Sequence, residues 1–468
     1  MEIINAINDY LWTYIMVALL LGSALYFTIR TGGVQFRMIP EMFRLLVDSG
    51  KSHDDPRLAG TSGNHTISSF QAFAVSLASR VGTGNIAGVA IAITLGGPGA
   101  VFWMWVVAFI GSANAFIEST LAQLFKVRGT SSFYGGPAYY IMKGLHKRWW
   151  AVTFAVLITV TFGLAFNSVQ SNTISAALLD SFGFSPLVTG IVLTAITLVI
   201  ICGGIQRISR VSQIIVPIMA LLYILLAIVI IIMNIDRFPA VMDLILDNAF
   251  GLRPAIGGGL GMAMIQGVKR GLFSNEAGEG STPNAAATAA VSHPVKQGLI
   301  QTLGVYTDTL LVCTSTAFII LCSGVFDSGL TGIQLTQYAL DTQIGSIATT
   351  FVAVAVFLFA FTSVIANYYY GETNLHFITP KKWVIFGFRA LVGIVVFVGS
   401  VASLDVVWAV SDITMGLMTM CNLLAILLLG KYALRCLRDY RSQLRHGVDP
   451  VYRSSTIPEI AAETSAWD

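Results

Sequence analysis

Apolar stretches close to 20 residues long recur along almost the whole chain, and no other feature limits its fold as strongly. A helix needs about 20 apolar residues to cross roughly 30 Å of hydrocarbon, whereas buried helices of a water-soluble domain are usually shorter. Hydrophobic residues make up 55% of the 468 positions and charged residues only 11%, against about one quarter charged in a soluble domain. The chain reads as an all-α integral membrane protein. Apolar runs bounded by charges, prolines and polar clusters predict helices near 11–29, 66–95, 98–125, 150–179, 184–206, 211–234, 256–290, 297–324, 346–370, 383–401 and 406–430, eleven transmembrane spans in all. Residues 30–65 read as a surface helix (TGGVQFRMIPEMFRLL) and a short loop. The N-terminus, MEIINAINDY, is acidic and no small-residue cleavage pattern follows it, so the first run is expected to be a permanent span.

If these spans are right, Lys and Arg should collect in alternate loops, on the cytoplasmic side. They do: Arg30, Arg37, Arg44, Lys51 and Arg57 share one loop, and Lys126, Arg128, Lys143, Lys147 and Arg148 another. Arg207, Arg210, Lys296, Lys381, Lys382 and the tail residues Lys431, Arg435, Arg438, Arg441, Arg445 and Arg453 fall on the same side, while the opposite loops hold only Arg237 and Arg253. The expected location is the cell membrane, multi-pass, with the N-terminus outside and the C-terminus in the cytoplasm. A net charge of +3 is too small to indicate nucleic acid. Cys202, Cys313, Cys322, Cys421 and Cys436 form no CxxC pair and lie in or beside apolar segments, so neither a disulfide framework nor a zinc site is expected.

Two spans cannot be simple helices. SLASRVGTGNIAGVA places Gly82, Gly84 and Gly88 around Asn85, and KRGLFSNEAGEGSTPNAAA contains Gly271, Gly278, Gly280 and Pro283. Glycine costs about 1 kcal/mol against alanine inside a helix and proline about 3, so both segments should unwind locally. Unwound backbone is tolerated at membrane depth only where protein or a watery cavity satisfies it. The breaks lie about 190 residues apart and open the first and sixth of the last ten spans. Each therefore begins a block of five helices, and an odd number of spans inverts the second block. The expected organisation is an N-terminal helix and linker (1–65), a first repeat (66–234), an inverted second repeat (235–430) and a basic cytoplasmic tail (431–468). Paired broken helices in inverted repeats form the midplane site of many secondary transporters.

GGPGAVFWMWVVAFIG, Gly96 to Gly111, resembles the signature of the sodium:alanine symporters, also called the alanine or glycine:cation symporter family. SLASRVGTGNIAGVA, GLFSNEAGEGSTPNAAA and NYYYGETN resemble that family too, and together they cover most of the chain. The resemblance implies a LeuT-type fold: a five-plus-five inverted repeat behind one extra N-terminal helix.

An amino acid presents a carboxylate and an ammonium, and a site must meet both without water. In the first break the amides of Thr83, Gly84 and Asn85 open a half-helix, whose free N–H groups and positive dipole end favour an anion; the competing reading is that these glycines only allow close helix packing. Freed carbonyls within Gly271–Ala277 would face the ammonium, and the resemblance points to Phe273, Ser274 and Asn275. Gln170, in FNSVQSNTI, is placed to donate to the carboxylate or to bond between helices. Thr362 and Ser363 are adjacent hydroxyls suited to a hard cation. In LeuT-type transporters their position faces the first break, which would make Ala78 and Val81 the carbonyl ligands; Asn85 is a candidate for a second cation. The alternative for both hydroxyls is a bond back to their own helix. Arg80, costly at membrane depth, should pair with Glu276, Glu279 or Asp308 as a gate, or reach the inner interface. Some relatives carry an aromatic residue near Asn367, which would close the pocket over a small side chain. Asn367 in that lining would admit a larger substrate such as glutamine.

These features point to sodium-coupled symport of a small neutral amino acid, alanine or glycine first, by alternating access in a membrane-embedded monomer. A proton could replace sodium, but the hydroxyl site lacks a titrating group. No cofactor and no metal beyond the transported sodium are expected. An enzyme would need clustered acids, a metal set or a nucleophile with its base, and the six scattered histidines form no HExxH motif.

Overall fold

The computed structural model describes residues 2–48, 67–129, 132–251, 259–345 and 347–467. Lys51, Arg57 and Arg253, used in the charge pattern, lie outside the described residues. Among the described residues, eight helices are long and apolar enough to cross a membrane. They are α1 (Glu2–Thr31), α5 (Ala100–Leu124), α7 (Arg148–Phe182), α9 (Gly204–Met233), α13 (Pro294–Ser323), α15 (Ile347–Ile378), α16 (Lys382–Val401) and α17 (Leu404–Arg445). Between them stand two shorter apolar helices, α4 (Gly84–Gly96) and α8 (Pro186–Ile201). The multi-pass helical reading holds at this level.

The remaining elements are short. A single turn, Val34–Arg37, leads into α2 (Ile39–Asp48), which is the anticipated surface helix. Helix α3 (Ser69–Arg80) precedes α4, and its start is fixed by a reciprocal cap in which Ser68 and Gln71 each bond the other's backbone amide. Strands β1 (Val127–Arg128) and β2 (Phe133–Tyr134) form a small hairpin before α6 (Pro137–Leu145). Helices α10 (Phe238–Ala249), α11 (Gly259–Asn275), α12 (Pro283–Ala286) and α14 (Gly332–Ile344) complete the order.

Several boundaries differ from expectation. The segment expected as one broken helix to residue 290 resumes for a single turn only, α12, because the chain then leaves the helix to pair Ala289 with Ile67. Helix α17 runs fifteen residues past the expected 430, since KYALRCLRDYRSQLR is rich in good helix formers although it is no longer apolar. Helices α6, α10 and α14 sit in stretches read as loops.

Helix α5 packs along both α11 and α13 and is the central strut of the bundle. At its start Gly99 lies so close to α10 that a Cβ would come within 2.4 Å of the Ala249 nitrogen. Trp103 donates to the Ala249 carbonyl at 3.2 Å and Trp105 to Thr314 Oγ1 at 2.8 Å. The Gly96–Gly111 signature thus supplies packing contacts around the site. At the far end of α5, the Trp467 indole donates to the Gln123 and Leu124 carbonyls, both at 3.2 Å. The Lys126 ammonium sits between the Phe133 and Trp467 rings, so the tail is folded against the bundle.

Candidate functional site at two interrupted helices

The first interruption occupies residues 81–83, between α3 and α4. Val81 leaves the helical region (φ −81°, ψ 87°), and the next two amides find side chains. Gly82 N–H donates to Asn85 Oδ1 at 2.9 Å, and Thr83 N–H to Gln170 Oε1 of α7 at 3.1 Å. With Oε1 engaged in this way, Gln170 keeps its Nε2 as a donor; the expected donation to a ligand would come from there. Gly84 and Asn85 are the first residues of α4, whose leading amides have no partner within the helix. Asn85 Nδ2 donates to Asp308 Oδ1 at 2.6 Å, and its carbonyl accepts from Thr316 Oγ1 at 2.6 Å. Its side chain therefore joins α4 to α13.

On the other side of Gly82 stands α15. Ser363 Oγ lies 2.8 Å from the Ala78 carbonyl, 3.4 Å from that of Val81 and 3.0 Å from that of Phe359. Three of the four expected cation groups are thus brought together. The fourth, the Thr362 hydroxyl, donates to Phe359 O of its own helix at 2.9 Å. A Cβ on Gly82 would sit 2.4 Å from Ser363 Oγ and 2.9 Å from Gln170 Oε1, so only glycine lets α7 and α15 close on the break.

The second interruption falls inside the expected Gly271–Ala277 stretch. Helix α11 is intact to Asn275, and Glu276 turns the chain with φ +56°, followed by Gly278 and Gly280 at +89° and +90°. Such angles are strained for any residue with a Cβ, which fixes the two glycines. In a continuing helix the amides of Ala277, Gly278 and Glu279 would take the carbonyls of Phe273, Ser274 and Asn275. They bond instead to Asn275 Oδ1 (3.0 Å), Glu118 Oε1 (3.0 Å) and the Glu276 carbonyl (3.2 Å). The three carbonyls expected to face an ammonium are the ones released. Their helix end touches the start of α4: a Cβ on Gly84 would lie 2.9 Å from the Phe273 ring and 3.3 Å from Ser274 Cα.

Two acids organise the breaks. Asp308 accepts from Asn85 at Oδ1 and from Ser274 (2.8 Å) and Thr309 (3.0 Å) at Oδ2, binding α4 and α11 to α13. Glu118, absent from the sequence candidates, accepts from Gly278 and Gly280 N–H at 3.0 and 3.1 Å and from Asn422 Nδ2 at 2.8 Å. It pins the unwound loop to α5 and α17. Its signal was an ionisable residue inside an apolar span, which alone marks a position as functional.

The expected ion pair of Arg80 with Glu276, Glu279 or Asp308 is not formed. Among the described residues Arg80 has no carboxylate within 4.0 Å; its Nη1 donates to the Gln301 carbonyl at 3.1 Å. Asp308 already has its donors, and Glu276 is served by Ser79 (2.6 Å), Ser281 (2.5 Å) and Thr282 (3.1 Å); Glu279 has no such donors among the described residues but lies beyond 4.0 Å of the guanidinium. Nor does Arg80 reach an interface, being 1% exposed. Asn367 Oδ1 accepts from Ser79 Oγ at 2.9 Å, the hydroxyl that also reaches Glu276.

An open cavity of about 600 Å³ enters the bundle where α1 begins and α4 ends, lined by Lys269, Arg270, Trp408 and Asp412 among others. Asp412 Oδ2 receives Lys269 at 2.8 Å and Arg270 at 2.6 Å. Below them Arg270 lies over Trp408 (4.6 Å), Trp408 against Phe273 (4.7 Å) and Phe273 against Phe166 (4.5 Å). This stack stands between the cavity and Gly84, and of its members only Phe273 is among the expected site residues.

The model of the sodium:alanine symporter family matches residues 1–454. The amino-acid carrier protein AlsT of Bacillus subtilis is 53% identical over 100% of this chain and 97% of its own length. The probable sodium/glutamine symporter GlnT of the same organism is 52% identical, covering 97% of this chain and 94% of itself. The sodium/alanine symporter AgcS of Methanococcus maripaludis is 37% identical over 92% and 94%. Among solved structures, MhsT in complex with L-phenylalanine superposes with a TM-score of 0.56 at 14% identity, over 86% of this chain and 92% of that one. A Na+-coupled sialic acid symporter gives 0.53 at 13% identity, over 98% and 96%. These two bear on the fold alone.

Proposed function

Because the chain belongs to the sodium:alanine symporter family, we propose that it is a secondary transporter coupling sodium entry to uptake of a small neutral amino acid, alanine or glycine. The observation that carries this reading is the meeting of two helix ends of opposite polarity. The start of α4 packs against the end of α11, where a Cβ on Gly84 would lie 3.3 Å from Ser274 Cα. The first end suits a carboxylate through Thr83, Gly84 and Asn85, and the second an ammonium through Phe273, Ser274 and Asn275. Gln170 would add its amide nitrogen to the carboxylate side.

Sodium would bind the carbonyls of Ala78 and Val81 with Ser363 Oγ, Thr362 turning its hydroxyl from Phe359 to complete an oxygen set. Asn85, Ser274, Thr309 and Asp308 offer oxygens for a second cation beside the carboxylate. The first break is followed by three long helices and the shorter α8, and the second by four long helices, which supports an eleven-span arrangement of one leading helix and two inverted blocks of five, divided near residues 66, 235 and 430. In the orientation set by the basic loops, N-terminus outside, the cavity under Asp412 opens outward and the aromatic stack closes it. Rocking of the broken helices would then expose the site alternately to each side.

One charge moving through 100 mV yields about 2.3 kcal/mol, and a tenfold sodium gradient adds about 1.4 kcal/mol. Together they concentrate a neutral substrate a few hundredfold. Uptake of labelled alanine, glycine and glutamine into proteoliposomes, with and without an inward sodium gradient, tests the reading. Alanine or glycine should accumulate only with the gradient. Failure of every neutral amino acid to accumulate would contradict the proposal, and uptake driven by pH without sodium would overturn the choice of ion. Glutamine is the second reading, because a 52% identical relative carries that substrate in its name; preferential glutamine accumulation would establish it.

Gly82→Ala gives a sharper check on the cation groups. The new methyl must displace Ser363 Oγ from the Ala78 carbonyl, and loss of one ligand worth about 1.4 kcal/mol weakens sodium binding about tenfold. The sodium concentration for half-maximal uptake should rise accordingly. An unchanged value would remove Ser363 from the cation site.

A further inference from the structure

Three fully buried carboxyl groups surround the second break: Glu118, Glu276 and Glu279. Two of them are supplied with donors. Glu118 receives three N–H donors, from Gly278, Gly280 and Asn422, and Glu276 three hydroxyls, from Ser79, Ser281 and Thr282. Glu279 receives none among the described residues: it is 0% exposed, and neither carboxyl oxygen has a hydrogen-bond partner there. A buried carboxylate without donors or a paired cation is far more costly than the neutral acid, so such a group neutralises.

The surrounding charges point the same way. Arg80 on α3 is close enough to act electrostatically on Glu118, Glu276, Glu279 and Asp308. It forms no ion pair with them, and among the described residues its Nε and Nη2 are buried without partners. Other ionisable neighbours of the group are Tyr370 on α15, Tyr140 on α6 and Cys313 on α13, none of which brings positive charge. One guanidinium therefore faces four carboxyl groups, three of which already have donors. The fourth, Glu279, is left for a proton.

We infer that Glu279 is a proton-binding site of the transport cycle, holding a proton in the arrangement described here and exchanging it when the unwound loop moves. The link to motion lies in the peptides on either side. Gly278 and Gly280 flank Glu279, and both are held by Glu118. A rocking motion that pulls this loop from α5 must carry Glu279 with it and change its access to water. The step is O–H bond formation at one Glu279 oxygen and its reversal on the other side of the membrane; nothing else is made or broken. The inference rests on the symport reading above and adds a second coupled ion to it.

The test uses the full-length protein in proteoliposomes containing a pH-sensitive dye, with the membrane potential clamped and amino-acid entry driven by sodium. Internal acidification should accompany amino-acid entry in the wild type. In Glu279→Gln, which keeps the neutral shape, it should fall to the level of empty liposomes, and Glu279→Asp should restore part of it. Amino-acid entry without acidification, or equal acidification in Glu279→Gln, would overturn the inference while leaving sodium symport standing. Absence of any entry would instead overturn the symport reading. Infrared spectroscopy of the purified protein tests the site without transport: the C=O stretch of a non-hydrogen-bonded carboxylic acid should be present near neutral pH and lost in Glu279→Gln. Its absence from the wild type would equally overturn the assignment.

Discussion

Replacing Asp308 with alanine is expected to abolish sodium-driven uptake and to lower the thermal unfolding temperature of the purified protein. Its two oxygens accept from Asn85 on α4, Ser274 on α11 and Thr309 on α13. The substitution leaves three buried donors unsatisfied, each at a cost of about 1–3 kcal/mol. It also unties the first residues of α4 from the last turn of α11, where the amides and carbonyls proposed for the amino acid must hold their spacing. Asp308→Asn should be intermediate. The hydroxyls of Ser274 and Thr309 can rotate to accept from a new amide, whereas Asn85 Nδ2 still needs an oxygen. Wild-type uptake in Asp308→Ala would show that the two breaks keep their relation without this carboxylate.

The largest stability loss is expected for Glu118→Ala. Three donors converge on this one side chain, and each buried donor left unsatisfied costs about 1–3 kcal/mol. The loop they hold contains two glycines at positive φ and Glu276 at +56°, a conformation with no helical hydrogen bonds to fall back on. Fluorescence-detected size-exclusion chromatography after a heating series would measure the shift. Glu118→Ala should aggregate well below the wild-type temperature, and Glu118→Gln, with one oxygen for three donors, should lose a smaller part. Equal thermostability in all three proteins would mean that the loop is held by something other than Glu118.

What could be read from the sequence follows from where the physical constraint is local. Long apolar spans were legible because lipid forces each segment to satisfy its own backbone, so length and hydropathy suffice. The breaks were legible because glycine and proline act within a turn or two of themselves. The short helices α6, α10 and α14 were not, since hydropathy separates lipid from water and not helix from loop. Resumption of the second broken segment was overextended for a related reason: its alanines favour a helix, but pairing of Ala289 with Ile67, 222 positions earlier, claims the backbone.

At the site, residue types were legible and partners were not. Ser363 found Ala78 and Val81, but Thr362, identical in chemistry and adjacent in sequence, turned back to Phe359; the difference is one helical step of 100° and cannot be read without the neighbouring helix. Arg80 was expected to find an acid because charge in a membrane must be compensated. The nearby hydroxyls of Ser79, Ser281 and Thr282 reached Glu276 first, and Arg80 settled on a carbonyl. The Arg270–Asp412 contact joins residues 142 positions apart, with nothing in either segment to announce the other.

Coupling requires that sodium and the amino acid raise each other's affinity by the same factor. Equilibrium binding of labelled alanine to the purified protein, repeated across a range of sodium concentrations, measures that factor directly. Alanine affinity should rise steeply with sodium in the wild type and lose most of that dependence in Ser363→Ala. Alanine affinity that is the same with and without sodium would contradict a shared site at the two interrupted helices.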